Sequence, residues 1–309
     1  MNAPDSFPQS SVTALDPFER ARAWFARQGW EPFPFQERVW AAYVAGRSGL
    51  IHAPTGMGKT YAAFIGPLMC GASADHGVSE FPPDATTQAS ASQAPSGPRL
   101  ETPLRATADG RVDAQSHAKL SAPPLTVLWL TPLRALAADT GLALQRAADA
   151  LAPHWSIDVR TGDSSAATRT RQARQLPTAL VTTPESLTLL LSREDWRARF
   201  SHLSAIVVDE WHELMSSKRG VQVELALARL RGACSTLRIW GLSATLANLD
   251  EALACLVSPA ASANAEIVQG AASKAIDIET ARPASIERFP WGGHIGLKLL
   301  PQVVRAIEH

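Results

Sequence analysis

The sequence has few cysteines and no excess of either charge. Its 309 residues include three cysteines, Cys70, Cys234 and Cys255, which are far apart and form no C-x-x-C pair. That spacing argues against a disulfide framework or a structural zinc site and favours a reducing compartment. The 29 Lys and Arg residues balance the 29 Asp and Glu residues. The chain therefore has no global excess of basic residues that would indicate nucleic-acid binding, although a local groove can still be basic.

Long apolar runs are also missing. No stretch approaches the roughly 20 apolar residues that a transmembrane helix needs. Residues 1–15 are polar and lack the basic-then-apolar order of a signal peptide, so we interpret them as a disordered leader. These absences predict a soluble, cytoplasmic protein without a membrane partner.

One internal segment has too few large apolar side chains to form a core. Residues 71–124 are rich in Ala, Ser, Thr, Pro and Gln, and Phe81 is their only aromatic residue. Burial of so little apolar surface does not offset the entropy lost on ordering. We predict a low-complexity, mostly disordered surface insertion here.

Elsewhere, short apolar runs alternate with helical patterns. Continuous apolar runs at 126–130, 179–182 and 205–208 are typical of strands that are buried on both faces. Their alternation with helices predicts an α/β fold, a three-layer sandwich around a mostly parallel sheet. Ligands of such sheets bind at the carboxyl ends of the strands.

A phosphate-binding loop follows the apolar run 49–51. The segment APTGMGKT, residues 53–60, precedes a helical pattern and departs from the strict motif only where Ala53 replaces Gly. Its glycines let successive N–H groups point at an anion, Lys59 can reach the β- and γ-phosphates, and the Thr60 hydroxyl can ligate Mg²⁺. The predicted ATP contacts in this loop are Thr55, Gly56, Met57, Gly58, Lys59 and Thr60.

Gln36 is a candidate for recognising the base of the nucleotide. It lies 23 residues before Lys59, at the start of a predicted helix. Its amide offers a donor and an acceptor together, as an adenine edge requires. A surface Gln at a helix start would be the simpler interpretation if the phosphate loop were absent.

Two adjacent carboxylates, Asp209 and Glu210, follow the buried run 205–208. Carboxylates at the end of a buried strand are costly unless a cation meets them. We predict that Asp209 binds Mg²⁺ together with Thr60, and that Glu210 activates the attacking water. Ser243 and Thr245 follow the last strong strand and can bridge this acidic pair to a neighbouring loop.

Three further strand ends carry a hydroxyl beside a helix start. Taken singly, Thr-Pro at such a position is typical of helix capping. Three in one sheet, one with an arginine beside it, favour a track that binds phosphate oxygens without reading bases. The candidate nucleic-acid residues are Thr131, Pro132, Arg134, Gly162, Thr183 and Pro184.

Taken in order, these motifs resemble those of a superfamily 2 helicase of the DExH type. The similarity is carried by Gln36 and by APTGMGKT (53–60), TPLRAL (131–136), TGD (161–163), TTPES (182–186), DEWH (209–212) and SAT (243–245). The segments GWEPFPFQERVW (29–40), DEWHELMSSKRGVQVELALARL (209–230) and FPWGGHIGLKLLP (289–301) resemble the Lhr family, particularly its ligase-associated DExH-box helicases.

The resemblance implies an ATP- and Mg²⁺-dependent motor that moves 3′ to 5′ along single-stranded DNA or a DNA/RNA hybrid in DNA repair. It assigns His212, Ser243 and Thr245 to the coupling of hydrolysis with strand movement, and makes Lys59, Asp209 and Glu210 catalytic. DNA ligase and nuclease repair proteins are the partners it suggests.

The resemblance also implies a domain organisation. Residues 16–258 form a first RecA-like domain, and 259–309 form a connector towards a second RecA-like domain that this sequence does not include. Because that domain should supply arginine fingers, we expect this chain to bind ATP weakly and to hydrolyse it poorly.

Two other functions stay open. The chain could be a stand-alone module that binds ATP and nucleic acid without significant turnover, or a different P-loop enzyme such as a small-molecule kinase. The ordered Thr-Pro motifs and Ser-Ala-Thr argue against the kinase.

Overall fold

The computed structural model describes residues 16–74, 123–270 and 295–308. The predicted leader, most of the predicted insertion and residues 289–294 lie outside this range, as does the run Ile276-Asp277-Ile278, whose apolar pattern predicts a short strand. The chain divides into two units, Met1–Ala271 and Ala272–His309. The apolar pattern of residues 295–307 predicts a helix, and the second unit has helix α12 there (Ile295–Glu308).

Seven strands of the first unit form one sheet in which every pairing is parallel, in the order β3-β4-β2-β5-β6-β1-β7. The predicted α/β class is therefore confirmed. The strands are β1 Gly49–His52, β2 Val127–Leu130, β3 Ile157–Arg160, β4 Ala179–Thr182, β5 Ala205–Val208, β6 Arg238–Ser243 and β7 Glu266–Gln269.

Helices connect these strands and cover the sheet. Those of the first unit are α1 Pro17–Arg27, α2 Pro34–Val44, α3 Lys59–Ala74, α4 Arg134–Leu151, α5 Ala166–Arg174, α6 Pro184–Leu191, α7 Trp196–Phe200, α8 Trp211–Met215, α9 Lys218–Arg231, α10 Leu249–Val257 and α11 Pro259–Ser262. No helix among the described residues is long and apolar enough to cross a membrane.

The sheet has a separate apolar core on each face. In β5, Val207 packs with residues of α1 to α4, whereas its neighbour Ile206 packs with residues of α6 to α10. In β2, Trp129 and Leu128 divide between the two cores in the same way. Because side chains alternate along a strand, an unbroken apolar run supplies both cores at once. This arrangement is the predicted three-layer sandwich.

Two predicted boundaries were wrong. Helix α3 continues to Ala74, so residues 71–74 belong to it and not to the insertion. A Cβ on Gly71 would lie 2.2 Å from the Trp155 ring, a close approach that composition does not reveal. In addition, β7 pairs with β1, so the first domain extends beyond the predicted end at residue 258. That pairing occupies the backbone groups of β1 that would otherwise be unpaired.

Candidate nucleotide and nucleic-acid site

The phosphate loop leaves β1 at the carboxyl edge of the sheet. The backbone N–H of Ala53 donates to the carbonyl of Ser243 at 3.1 Å, which ties the loop to the end of β6. Gly56 and Gly58 have φ angles of +79° and +74°, a region that side chains rarely adopt. Helix α3 begins directly afterwards, at Lys59, so its unpaired N–H groups and positive dipole end face the loop.

The ammonium group of Lys59 is enclosed by this loop. Its Nζ donates to the carbonyls of Ala53 at 2.7 Å and Pro54 at 3.1 Å, and the residue is 8% exposed. Burial lowers the pKa of Lys59 below its ordinary value, and the nearby Glu210 and Asp209 partly oppose this change. A buried cation beside two carboxylates is suited to meet phosphate and Mg²⁺ together.

Asp209 is a partly buried carboxylate with few polar partners. Its Oδ2 accepts a 3.4 Å hydrogen bond from Trp129 Nε1, and its Oδ1 accepts one of 3.0 Å from the N–H of Glu210. Burial, together with the charge of Glu210, raises the pKa of Asp209 to about 6. A cation at this carboxylate would relieve that cost, so the residue fits the predicted role in Mg²⁺ binding.

The remaining Mg²⁺ ligands would have to come from hydroxyl, water and phosphate oxygens. Within the described parts of the chain, no three His, Cys, Asp or Glu side chains are grouped so that they could hold a metal. Mg²⁺ is commonly held by one or two carboxylates plus phosphate oxygens and water. Thr60, in the first turn of α3, offers the predicted hydroxyl ligand.

Glu210 has an unusual backbone conformation. Its φ and ψ are +46° and +48°, which places a non-glycine residue in the left-handed region between β5 and α8. This conformation costs about 1 kcal/mol or more and is concentrated at functional sites. It directs the Glu210 carboxylate towards His212, with Oε2 3.5 Å from Nδ1.

His212 connects the acidic pair to the neighbouring strand. The same Nδ1 lies 3.2 Å from the hydroxyl of Ser243, at the end of β6. The structure thus brings together Glu210, His212 and Ser243, three of the residues predicted for hydrolysis and coupling. Thr245 is exposed on the loop that follows β6.

Gln36 lies behind the phosphate loop and is only 1% exposed. Its Nε2 donates to the carbonyl of Gly58 at 2.9 Å, and its Oε1 accepts from the N–H of Phe33 at 2.8 Å. The amide therefore fixes the loop to the start of α2. Whether it also reads adenine stays a prediction.

An aromatic cavity opens beside Gln36. Its volume is about 380 Å³, and its wall includes rings able to stack on a planar base. Sequence reasoning missed these rings, because they come from α1, the α1–α2 loop and α3. The lining residues are Phe25, Trp30, Glu31, Phe33, Gln36, Gly56, Gly58 and Tyr61.

His52, at the end of β1, was also missed. It is paired in register with Ser243, and its buried Nδ1 has no hydrogen-bond partner among the described residues. Burial, followed by the charges of Lys59 and His212, lowers the pKa of His52. A single His at a strand end carries no signal in the sequence.

The three Thr- and Gly-containing strand ends lie on adjacent strands, β2, β4 and β3. Thr183 caps α6 by accepting from the N–H of Ser186, as the simpler interpretation expected. Thr131 is buried but does not cap α4, which begins after Leu133. Arg134 forms a 3.0 Å ion pair with Asp163, beside Gly162. The candidate nucleic-acid residues after these three strands therefore lie together at the carboxyl edge of the sheet.

Substitution of the two loop glycines should have unequal effects. A Cβ on Gly58 would lie 2.7 Å from Gln36 Nε2, whereas a Cβ on Gly56 has no atom within 4 Å. Both substitutions to Ala add backbone strain of about 1 kcal/mol. We expect Gly58→Ala to destabilise the fold further and to weaken ATP binding more than Gly56→Ala. Urea unfolding and ATP titration of both variants test this, and equal losses would contradict it.

Comparison with known proteins decides the family. A family model described as DEAD/DEAH box helicase matches residues 33–252. The chain belongs to this family. The predicted helicase family is thereby confirmed, and the match covers the phosphate loop, both carboxylates and the predicted strand-binding loops.

Lhr helicases are among the relatives of the chain. It is 30% identical, over 78% of its length, to the Lhr helicase/probable uracil glycosylase of Mycolicibacterium smegmatis, and covers 14% of that protein. It is 32% identical, over 77% of its length, to the ATP-dependent helicase Lhr-Core of Methanothermobacter thermautotrophicus, and covers 24% of it. The predicted Lhr resemblance is confirmed, and the chain spans less than a quarter of these two relatives.

Solved helicase structures have the same fold. The structure of Mycobacterium smegmatis helicase Lhr bound to ssDNA and AMP-PNP matches with a TM-score of 0.61 and 25% identity, over 95% of this chain and 33% of that one. DEAD-box helicase Mss116 bound to ssRNA and UDP-BeF matches with a TM-score of 0.57 at 14% identity, over 84% of this chain and 43% of that one. The predicted RecA-like fold is confirmed.

Proposed function

We propose that this chain is the first motor domain of an Lhr-type, ATP-dependent DNA helicase that translocates 3′ to 5′ on single-stranded DNA. The observation that carries the proposal is the grouping of Lys59, Asp209, Glu210, His212 and Ser243 at one edge of the sheet. The match to a family of helicases supports the same conclusion.

The ATP site uses groups that the fold holds in place. The phosphate loop binds the β- and γ-phosphates through backbone N–H groups and Lys59, while Thr60 and Asp209 hold Mg²⁺. The metal, when bound, neutralises charge on the phosphate oxygens. Glu210 orients the attacking water and accepts its proton, and stacking in the aromatic cavity positions the base.

Coupling to the nucleic acid runs through β6. A change in the position of the Glu210 side chain is transmitted to Ser243 through His212, because the histidine Nδ1 lies near both side chains. Thr245, on the following loop, extends this route. The loops after β2, β3 and β4 bind phosphates of one DNA strand, of single-stranded DNA or of a DNA/RNA hybrid.

Catalysis by this motor requires a second RecA-like domain to supply arginine fingers, and the connector towards it follows β7. The chain covers 14% and 24% of two Lhr relatives, which leaves room in those proteins for further domains. We further propose cytoplasmic DNA repair, in the ligase-associated branch, with DNA ligase and nuclease proteins as partners.

The ATPase rate with and without single-stranded DNA tests the proposal. We expect measurable ATP binding but turnover at least about 10³-fold below that of a two-domain motor, because arginine fingers contribute that much. Glu210→Gln should remove the residual turnover while leaving ATP binding intact. Glu194→Gln, at an exposed position away from the site, is the control.

Each other outcome of these measurements favours a different interpretation of the chain. Strong DNA stimulation that Glu210→Gln abolishes would show that one domain suffices. ATP binding with no turnover in any variant favours a stand-alone binding module. Turnover that is indifferent to DNA favours another P-loop enzyme, and absence of ATP binding would overturn the proposal.

A further inference from the structure

Arg219 connects two of the predicted strand-binding loops. Its Nε lies 2.6 Å from Glu185 Oε1 in the first turn of α6, and its Nη1 donates to the carbonyl of Pro132 at 2.9 Å. Pro132 follows β2 and Glu185 follows β4, and these two strands are hydrogen-bonded neighbours. One guanidinium therefore spans two adjacent strand ends.

The backbone around Arg219 is itself fixed. Ser217 caps α9 by accepting from the N–H of Gly220. A Cβ on Gly220 would lie 2.1 Å from the carbonyl oxygen of Leu214, so α9 begins in close contact with α8. Because α8 follows the acidic pair directly, Arg219 is held relative to the ATP site as well as to the two loops.

Glu185 lies where it could oppose DNA binding. It is in the first turn of α6, at a helix end that would otherwise favour a phosphate. Burial tends to raise the pKa of Glu185, but hydrogen bonds from its own N–H, Thr183 and Arg219 lower it overall. Arg219 thus compensates a negative charge beside the predicted DNA track.

We propose that Arg219 is a positioning residue for DNA binding, which holds the loops after β2 and β4 in one relative position so that both contact the same strand. The planar guanidinium suits this role, because its donors point in fixed directions towards two acceptors. The role rests on the proposed function, since it requires that these loops bind single-stranded DNA.

The test measures the affinity of the full chain for a fluorescent single-stranded oligonucleotide at several salt concentrations. Arg219→Ala should weaken binding about tenfold, with ATP affinity unchanged. Arg219→Lys should restore little of the lost DNA affinity, because the lysine ammonium cannot hold two donors in fixed directions as the planar guanidinium does. Arg38→Ala is the matched control: Arg38 also pairs with a glutamate, Glu266, at 2.6 Å, between α2 and β7.

A double-mutant cycle separates positioning from direct contact with DNA. If Arg219 positions the loops, the cost of Arg219→Ala should shrink to less than about threefold in a Glu185→Ala background. The salt dependence of binding should be the same with and without Arg219. If Arg219 instead binds a phosphate, its loss lowers the slope of log K against log salt by about 0.7.

Failure of this role differs from failure of the proposed function. A wild-type chain that binds DNA, with Arg219→Ala binding equally well or Arg219→Lys restoring full affinity, would overturn the positioning role alone. A reduced salt slope would also overturn it, in favour of a direct contact. A wild-type chain that shows no DNA binding at all would overturn both.

Discussion

Lys59→Met is expected to lower the affinity for ATP by about a hundredfold or more. Loss of one member of a buried, charge-assisted contact costs about 2–5 kcal/mol, and the Lys59 ammonium is almost fully enclosed by the phosphate loop. The methionine is only one atom shorter than lysine, so the loop need not collapse around a large cavity. Titration of ATP and Mg²⁺ by calorimetry measures the effect.

Stability separates a local effect from misfolding. Because burial disfavours the charged form of Lys59, removal of the charge should leave the free energy of unfolding within about 1 kcal/mol of its wild-type value. Lys218→Met, at an exposed position on α9, should bind ATP normally. ATP binding by Lys59→Met at wild-type strength would show that this lysine is not a phosphate ligand.

Asp209→Asn is expected to stabilise the folded chain at neutral pH while it removes the Mg²⁺ dependence of ATP binding. The folded-state pKa of about 6 is above the ordinary value of 3.8, so the folded state binds more protons than the unfolded state between these values. Stability from this group is present below about pH 4 and lost as the pH rises through 6. The loss is about 3 kcal/mol at most.

Asparagine keeps the same shape without the charge. Its single amide oxygen can accept the hydrogen bond from the N–H of Glu210, and only the longer, 3.4 Å bond from Trp129 is lost, so we expect the variant to exceed the wild type in urea unfolding at pH 7.5. The two should converge at pH 4. Asp149→Asn, which alters an exposed carboxylate on α4, is the control. A variant that is no more stable than the wild type at pH 7.5 would show that Asp209 is not strained in the free chain.

Local patterns in the sequence were enough to predict the central strands. The runs 179–182 and 205–208 coincide with β4 and β5, because an unbroken apolar run buried on both faces leaves few alternatives. The turn at residues 53–60 could be predicted for a similar reason, since its two glycines of positive φ lie within one short segment directly before α3.

The end of the first domain, the edge strand β7 and the end of helix α3 were harder to predict from the sequence. The predicted domain end at residue 258 excluded β7, whose four residues become a strand only because β1 offers an edge to pair with. Helix α3 extends beyond the predicted start of the insertion at residue 71. Its last residues are small, so their composition resembles that of a linker and the sequence did not indicate a helix there. Contacts with partners distant in sequence decided both cases.

The sequence by itself determined which residues carry side chains suited to phosphate and metal. The tertiary structure decided which of them meet, because the strand order places β6 between β5 and β1 although the chain visits β1 first and β6 near its end. That order joins His212 to Ser243 and places Lys59 near Asp209, while the pairing of β2 with β4 places the two acceptors of Arg219 side by side. Such contacts depend on how elements stack, and no local pattern encodes that.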